Sequence, residues 1–130
     1  SAAEIVRVPV ESLRHIEGFS AKRVDWLVSK ILSEGVWNKP LALDDEHSLV
    51  LDGQHRMEAA KRMGLKWVPA VCYRYADVDV WSLRPNHSFD WQLVTQRALA
   101  GTPYPYKTVK HRFPGDGLPA CHFHLDEMMQ

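Results

Sequence analysis

The sequence predicts a compact α+β domain, and three observations predict it. Segments with helical spacing carry their own start and stop residues. Apolar runs of strand length stand between them. Polar turns such as Asp44-Asp45-Glu46-His47 join neighbouring runs, so hairpins and helices share one chain. No repeat, low-complexity tract or linker divides residues 1–130, and 130 residues suit one domain.

The elements follow in order. Residues 4–10, "EIVRVPV", alternate roughly and read as an edge strand, because Pro9 has no N–H to give a neighbour. "RHIEGF", 14–19, reads as a loop containing Gly18. Ser20 is a good N-cap for a helix over 21–34, with Val24, Leu27, Ile31 and Leu32 at helical spacing and Gly35 as its stop. "KPLALDDEHSLVLDG" forms two short strands about the polar turn. A helix over 54–63 comes next, closed by Gly64. "KWVPAVCYRY" and "VDVWSL" read as strands, and "FDWQLVTQRALAG" as a helix that Gly101 ends. "TPYPYKTVKHRFPGDGLP" is rich in Pro and Gly and should be mostly loop. "ACHFHL" alternates and reads as a last strand before a short acidic tail.

Composition narrows the function. Lys plus Arg and Asp plus Glu each number 16, so the formal net charge is zero, which argues against a general nucleic-acid binder while leaving room for a small basic pocket. No apolar run approaches the ~18 residues of a membrane span, and no signal-peptide pattern opens the chain. Ser1 in place of an initiator Met points to a trimmed or tagged start. The two cysteines, Cys72 and Cys121, form no disulfide framework and no Cys-x-x-Cys motif, so a reduced, cytoplasmic protein is expected.

The informative stretch is "LVLDGQHRMEAAKRMG", where an apolar run ends at Asp52-Gly53 and a helix begins. The first turn of a helix has N–H groups without internal partners and carries partial positive charge. Gly53 allows a tight turn and close approach of an anion, while His55 and Arg56 add side-chain donors. Asp52 would repel a phosphate unless Mg²⁺ lay between them. It would equally serve as a grip on a substrate hydroxyl or amine, or as a plain N-cap. The run is not a Walker motif, which needs Gly-Lys-Ser/Thr after a glycine-rich loop.

At these residues the chain resembles the ParB/sulfiredoxin superfamily, and within it the ParB-like free L-serine kinases. Their Asp-Gly-His-His-Arg corner is matched by Asp52-Gly53-Gln54-His55-Arg56, with Gln54 in place of the first His. Their Trp-Lys-Pro element is matched by Trp37-Asn38-Lys39-Pro40, and the spacing back from it brings their catalytic Glu onto Glu17. Their Lys-Thr-x-Arg-His-x-x-Pro stretch is similar to Lys107-Thr108-Val109-Lys110-His111-Arg112-Phe113-Pro114. Lys110 replaces the Arg of that stretch, and Leu83, with Trp81 nearby, stands where an aromatic of the amino-acid pocket is expected.

The resemblance implies a single ParB/sulfiredoxin-like domain over residues 1–130, with a mixed sheet and flanking helices. It implies an enzyme that transfers a phosphoryl group from ATP or ADP, with Mg²⁺, to the hydroxyl of a small free amino acid, most simply L-serine. Glu17 would be the base. Asp52 would contact Mg²⁺ through the nucleotide, or the substrate. Gly53, Gln54, His55, Arg56, Lys107, Thr108 and His111 would hold phosphates, and Trp37, Lys39 and Trp81 would shape the substrate pocket.

Three other readings start from the same residues. Sulfiredoxin chemistry needs a Cys in the corner, and position 54 is Gln. A ParB-like regulatory or DNA-partition module without kinase activity would need a helix-turn-helix region and basic character. A nuclease-like or purely regulatory form of the fold is the third. Elsewhere, His122 and His124 would share a strand face, but a metal needs at least a third ligand, His111 or His87. Most of the five tryptophans should be core, and Cys72 should be a buried thiol in an apolar strand.

Overall fold

The computed structural model describes residues 4–84 and 90–130. A five-stranded mixed sheet organises them. Its edge strand β1 (Val6–Pro9) ends where Pro9 can no longer donate, as expected, and the chain passes through a single 3₁₀ turn at Val10–Ser12. Part of the "RHIEGF" segment is strand rather than loop: Arg14–His15 form β2, which pairs in parallel with β5. Main-chain pairing with a distant segment overrides the local Gly signal there.

Helix α1 (Ala21–Glu34) starts where Ser20 accepts from the Arg23 N–H and stops at Gly35. Val24, Leu27 and Ile31 are buried, but Leu32 is 57% exposed, one residue off that stripe. Strand β3 (Val36–Trp37) leads to the hairpin of β4 (Leu41–Asp44) and β5 (Leu49–Asp52). Asp44 closes the hairpin: its carboxylate accepts from the Glu46, His47 and Leu49 N–H groups. Helix α2 (Gln54–Arg62) carries the chain to β6 (Trp67–Tyr73). The sheet order is β1-β6-β4-β5-β2, with β6 parallel to β4 and antiparallel to β1.

Strands β4 and β5 are apolar because both faces of the sheet are covered. Leu41, Leu43 and Val50 pack with Val24, Ile31, Met57 and Ala60 from α1 and α2. Leu49 and Leu51, on the opposite face of β5, pack with Val94 and Ala98 of α3 (Trp91–Leu99). Strand β7 (Asp79–Ser82) pairs with β8 (Val109–Arg112) on that second side. So "TPYPYKTVKHRFPGDGLP", expected as mostly loop, contains a strand. The Pro and Gly residues flank "VKHR" rather than interrupt it. The last strand, β9 (Phe123–His124), is short and pairs with β3. The acidic tail forms a turn of helix, α4 (Leu125–Met128), which buries Met128 completely.

The tryptophans divide. Trp37 and Trp67 are core, Trp91 is half-buried, and Trp26 and Trp81 are exposed. Cys72 is exposed, because burial along β6 stops at Val71. His122 and His124 do share a face, with rings 5.3 Å apart, but among the described residues no three potential ligands converge. Phe89, the expected start of α3, and His87 lie outside the described residues. No helix among the described residues is long and apolar enough to cross a membrane.

Candidate active site

The parallel pairing of β2 with β5 positions the site. Both strands leave the sheet at the same end, so the residues after His15 run out beside those after Asp52. The segment 104–109 then closes over them. Gly18 N–H donates to the Tyr104 carbonyl at 2.8 Å, and Tyr104 N–H donates to Ile16. A Cβ on Gly18 would stand 3.3 Å from the Tyr106 nitrogen, so glycine is what lets this segment close down. The result is a cleft of about 910 Å³.

The corner is built as the sequence suggests. Gly53, at φ 111°, turns the chain from β5 into α2, and no side chain caps the helix start. Asp52 is therefore not an N-cap. Its carboxylate is half-exposed in the cleft wall, 3.9 Å from Lys39 Nζ. Arg56 also lines the cleft and makes no ion pair among the described residues. Its guanidinium lies 5.9 Å over the Trp37 ring, and burial lowers its pKa. A desolvated guanidinium beside open helix N–H groups can hold an anion.

His55 contributes through one nitrogen. Its Nε2 accepts from the Ser20 N–H at 3.0 Å, so the ring proton sits on Nδ1. Burial, then Arg23 and His15, hold its pKa below the ordinary value, which keeps the ring neutral. Gln54 differs from expectation. Its side chain is buried on the far side of the corner, donating to the Val50 carbonyl and meeting His15 Nδ1 at 2.5 Å. His15 Nε2 is 2.6 Å from Glu58 Oε1. Gln54 therefore braces α2 with its side chain, which leaves only its backbone N–H at the open helix start.

Glu17 lines the cleft, half-buried. Its Oε2 accepts from the N–H groups of Thr108, at 3.1 Å, and Val109, at 2.9 Å. Burial raises its pKa; the two N–H donors and Lys110 oppose this without reversing it. Lys107, at φ 61°, is a non-glycine residue in left-handed backbone, which costs about 1 kcal/mol or more. That turn aims both N–H groups at Glu17. Arg84 holds it from outside, donating to the Thr108 hydroxyl and the Tyr106 carbonyl.

Two expected phosphate ligands already have partners within the chain. Thr108 is fully buried, and its hydroxyl donates to the Pro105 carbonyl at 2.6 Å. His111 accepts from the Tyr75 hydroxyl at 2.8 Å and bonds the Leu51 carbonyl through its other nitrogen. Burial pushes its pKa down to about 4, so it brings no positive charge to the cleft floor. In the expected substrate pocket, Lys39 lines the cleft. Trp37 lies beneath it, donating from Nε1 to the Lys39 carbonyl at 2.6 Å, and Trp81 stands outside its walls.

Some lining residues were not anticipated. Arg23, Trp26 and Lys30 bring a face of α1 to the cleft, and Lys110 joins Lys107 on the opposite wall. The i, i+3, i+7 spacing of the α1 residues was a readable signal. Tyr106, whose ring edge meets His55 at 5.3 Å, had none. Among the described residues the lining holds six Lys and Arg side chains against the carboxylates of Glu17 and Asp52.

This α+β arrangement, a mixed sheet with flanking helices, is the fold of a solved free serine kinase. A free serine kinase in complex with AMP superposes with a TM-score of 0.86, covering 98% of this chain and 95% of that one at 13% identity. SbnI with a C-terminal truncation, from Staphylococcus aureus, gives a TM-score of 0.75 over 88% of this chain and 85% of that one, at 12% identity. In sequence, the ATP-dependent L-serine kinase of Staphylothermus marinus is 37% identical over 81 residues, 59% of this chain. The chain spans 32% of the length of that curated relative. No family model matches the sequence.

Proposed function

We propose that the chain is a small-molecule kinase that transfers a phosphoryl group from ATP or ADP to the hydroxyl of a free amino acid, most simply L-serine, giving O-phosphoserine. The observation that carries this reading is a desolvated carboxylate, Glu17, facing the same basic cleft as the open start of α2. Residues 1–130 would serve as one nucleotide-binding kinase domain. The ATP-dependent L-serine kinase activity of the S. marinus relative and the fold of the free serine kinase support the same reading.

In this reading the backbone of Gly53 to Arg56, the Arg56 guanidinium and the His55 Nδ1–H hold phosphate oxygens, with Lys107 closing from the opposite wall. The acceptor hydroxyl lies in line with the transferred phosphorus. Its oxygen forms the new P–O bond, the bond to the nucleotide leaving group breaks, and the hydroxyl proton passes to Glu17. Two N–H donors fix Glu17 by one oxygen, and the other makes no hydrogen bond among the described residues. The raised pKa of Glu17 makes it a stronger base than an exposed carboxylate. Asp52 fits Mg²⁺ as an accessible carboxylate oxygen beside the corner, and the bound ion would offset phosphate charge.

Incubation with Mg²⁺, L-serine and either ATP or ADP, followed by mass spectrometry, tests the proposal. Threonine, homoserine and casein are run beside serine. O-phosphoserine formation is the expected result. Phosphorylation of casein alone, or nucleotide binding with no phosphorylated amino acid, overturns it, and the second outcome favours a non-catalytic nucleotide-binding module.

A further inference from the structure

Helix α1 turns two different faces to the rest of the molecule. Val24, Leu27 and Ile31 enter the core. Arg23, Trp26 and Lys30, at i, i+3 and i+7, line the cleft with Leu27 at their base. Trp26 is 62% exposed, more than any other large apolar side chain described, so core packing does not explain it. The Lys30 ammonium sits 5.4 Å over its ring. Arg23, one turn earlier, is near enough to His55 to disfavour its protonation. Ser20, just before the helix, donates to His55 directly. The N-terminal end of α1 thus abuts the corner, and Trp26 lies about 9 Å further along the axis at ~1.5 Å per residue.

We infer that Trp26 is the nucleobase platform of the cleft, its exposed indole stacking on the base of a nucleotide whose phosphates lie at the start of α2. The inference rests on the reading of the cleft as a nucleotide site and deepens it. A phosphate chain held at the corner runs along the basic face of α1, past Arg23, and its base then reaches Trp26. Leu83, 53% exposed, gives the same cleft further apolar surface. A base has a π-face whatever its edge pattern, so stacking on an indole needs no base-specific motif in the sequence.

The test is calorimetric titration of wild type, Trp26→Ala and Trp26→Phe with ATP and, separately, with inorganic tripolyphosphate, all with Mg²⁺. Trp26→Ala should weaken ATP binding roughly tenfold or more, Trp26→Phe should recover most of that loss, and tripolyphosphate affinity should stay within about twofold in all three proteins. Unchanged ATP affinity in Trp26→Ala overturns the inference. So do parallel losses for ATP and tripolyphosphate, which would mark a disturbance of the corner. Equal affinity of wild type for the two ligands removes the base contact and leaves the phosphate site standing. Failure of wild type to bind either ligand overturns the nucleotide reading and this inference together.

Discussion

Glu17 and Val109, 92 residues apart in sequence, are joined by a 2.9 Å hydrogen bond from the Val109 N–H to Glu17 Oε2. The bond fixes the carboxylate and also ties the 104–109 segment to the loop after β2. Glu17→Gln keeps an acceptor oxygen for this bond but cannot take a proton. Turnover should fall by about 10²–10⁴-fold with nucleotide affinity little changed. Steady-state rates and calorimetry on the same variant check this, and near-normal turnover would move the role of base to Asp52.

The same site predicts a stability effect. Burial raises the Glu17 pKa, so its stabilising contribution is full below the unfolded-state value and is lost as pH rises through the folded-state value. At neutral pH the wild type carries an ionised, desolvated carboxylate. Glu17→Gln should therefore melt higher than wild type at pH 7. Glu17→Ala should melt lower, by about 1–3 kcal/mol for the buried N–H groups left unpaired. Thermal melts of the three proteins decide it.

Arg56→Ala should weaken nucleotide binding by roughly 2–4 kcal/mol, since it removes a charge-assisted contact from a partly desolvated position. Calorimetry with ATP is the measurement. Wild-type affinity in a folded Arg56→Ala protein would take phosphate binding away from this corner.

Gly53→Ala should disrupt the corner itself. The backbone there is left-handed, and an added Cβ would overlap Leu41 Cδ2. The strain alone is about 1–3 kcal/mol. Denaturant unfolding should show at least that loss, whereas Gly35→Ala, with nothing near its Cβ, should show only the backbone cost.

His111 makes stability depend on acid. Its folded pKa, about 4, lies below the ordinary 6.5, so the unfolded chain takes up a proton that the folded one refuses. The stability that it confers is full above pH 6.5 and is lost as pH falls from there towards 4, of order 3 kcal/mol in total. Unfolding titrations at pH 7 and 5 should show a steeper loss for wild type than for His111→Gln.

The local parts of this site were legible in the sequence because local signals encode them. Asp52-Gly53 before a helix gives a strand-to-helix corner, and Ser20 and Gly35 bracket α1. Lys39 was reached through the resemblance of Trp37-Asn38-Lys39-Pro40 to the Trp-Lys-Pro element of the free serine kinases. What depends on pairing between distant segments was not. Strand β2 exists through β5, and β8 through β7. Thr108 and His111 sit in a segment that sequence reasoning could bring to the cleft, but the direction of a side chain along an unseen strand was not readable. Gln54 fills the place of a His in the resembling kinases, and only its buried partners, His15 and Val50, show why an amide belongs there.

The surplus of cations in the cleft has a consequence for encounter rates. The chain is neutral as a whole, so acidic residues outnumber basic ones over the rest of the surface. The molecule is thus an electric dipole with its positive pole at the cleft mouth. Small polyvalent anions are steered into the mouth, and their association rate should decline as ionic strength screens the field. An extended polyanion reaching past the mouth meets a surface on which acidic residues outnumber basic ones, so size and charge together filter what reaches Glu17.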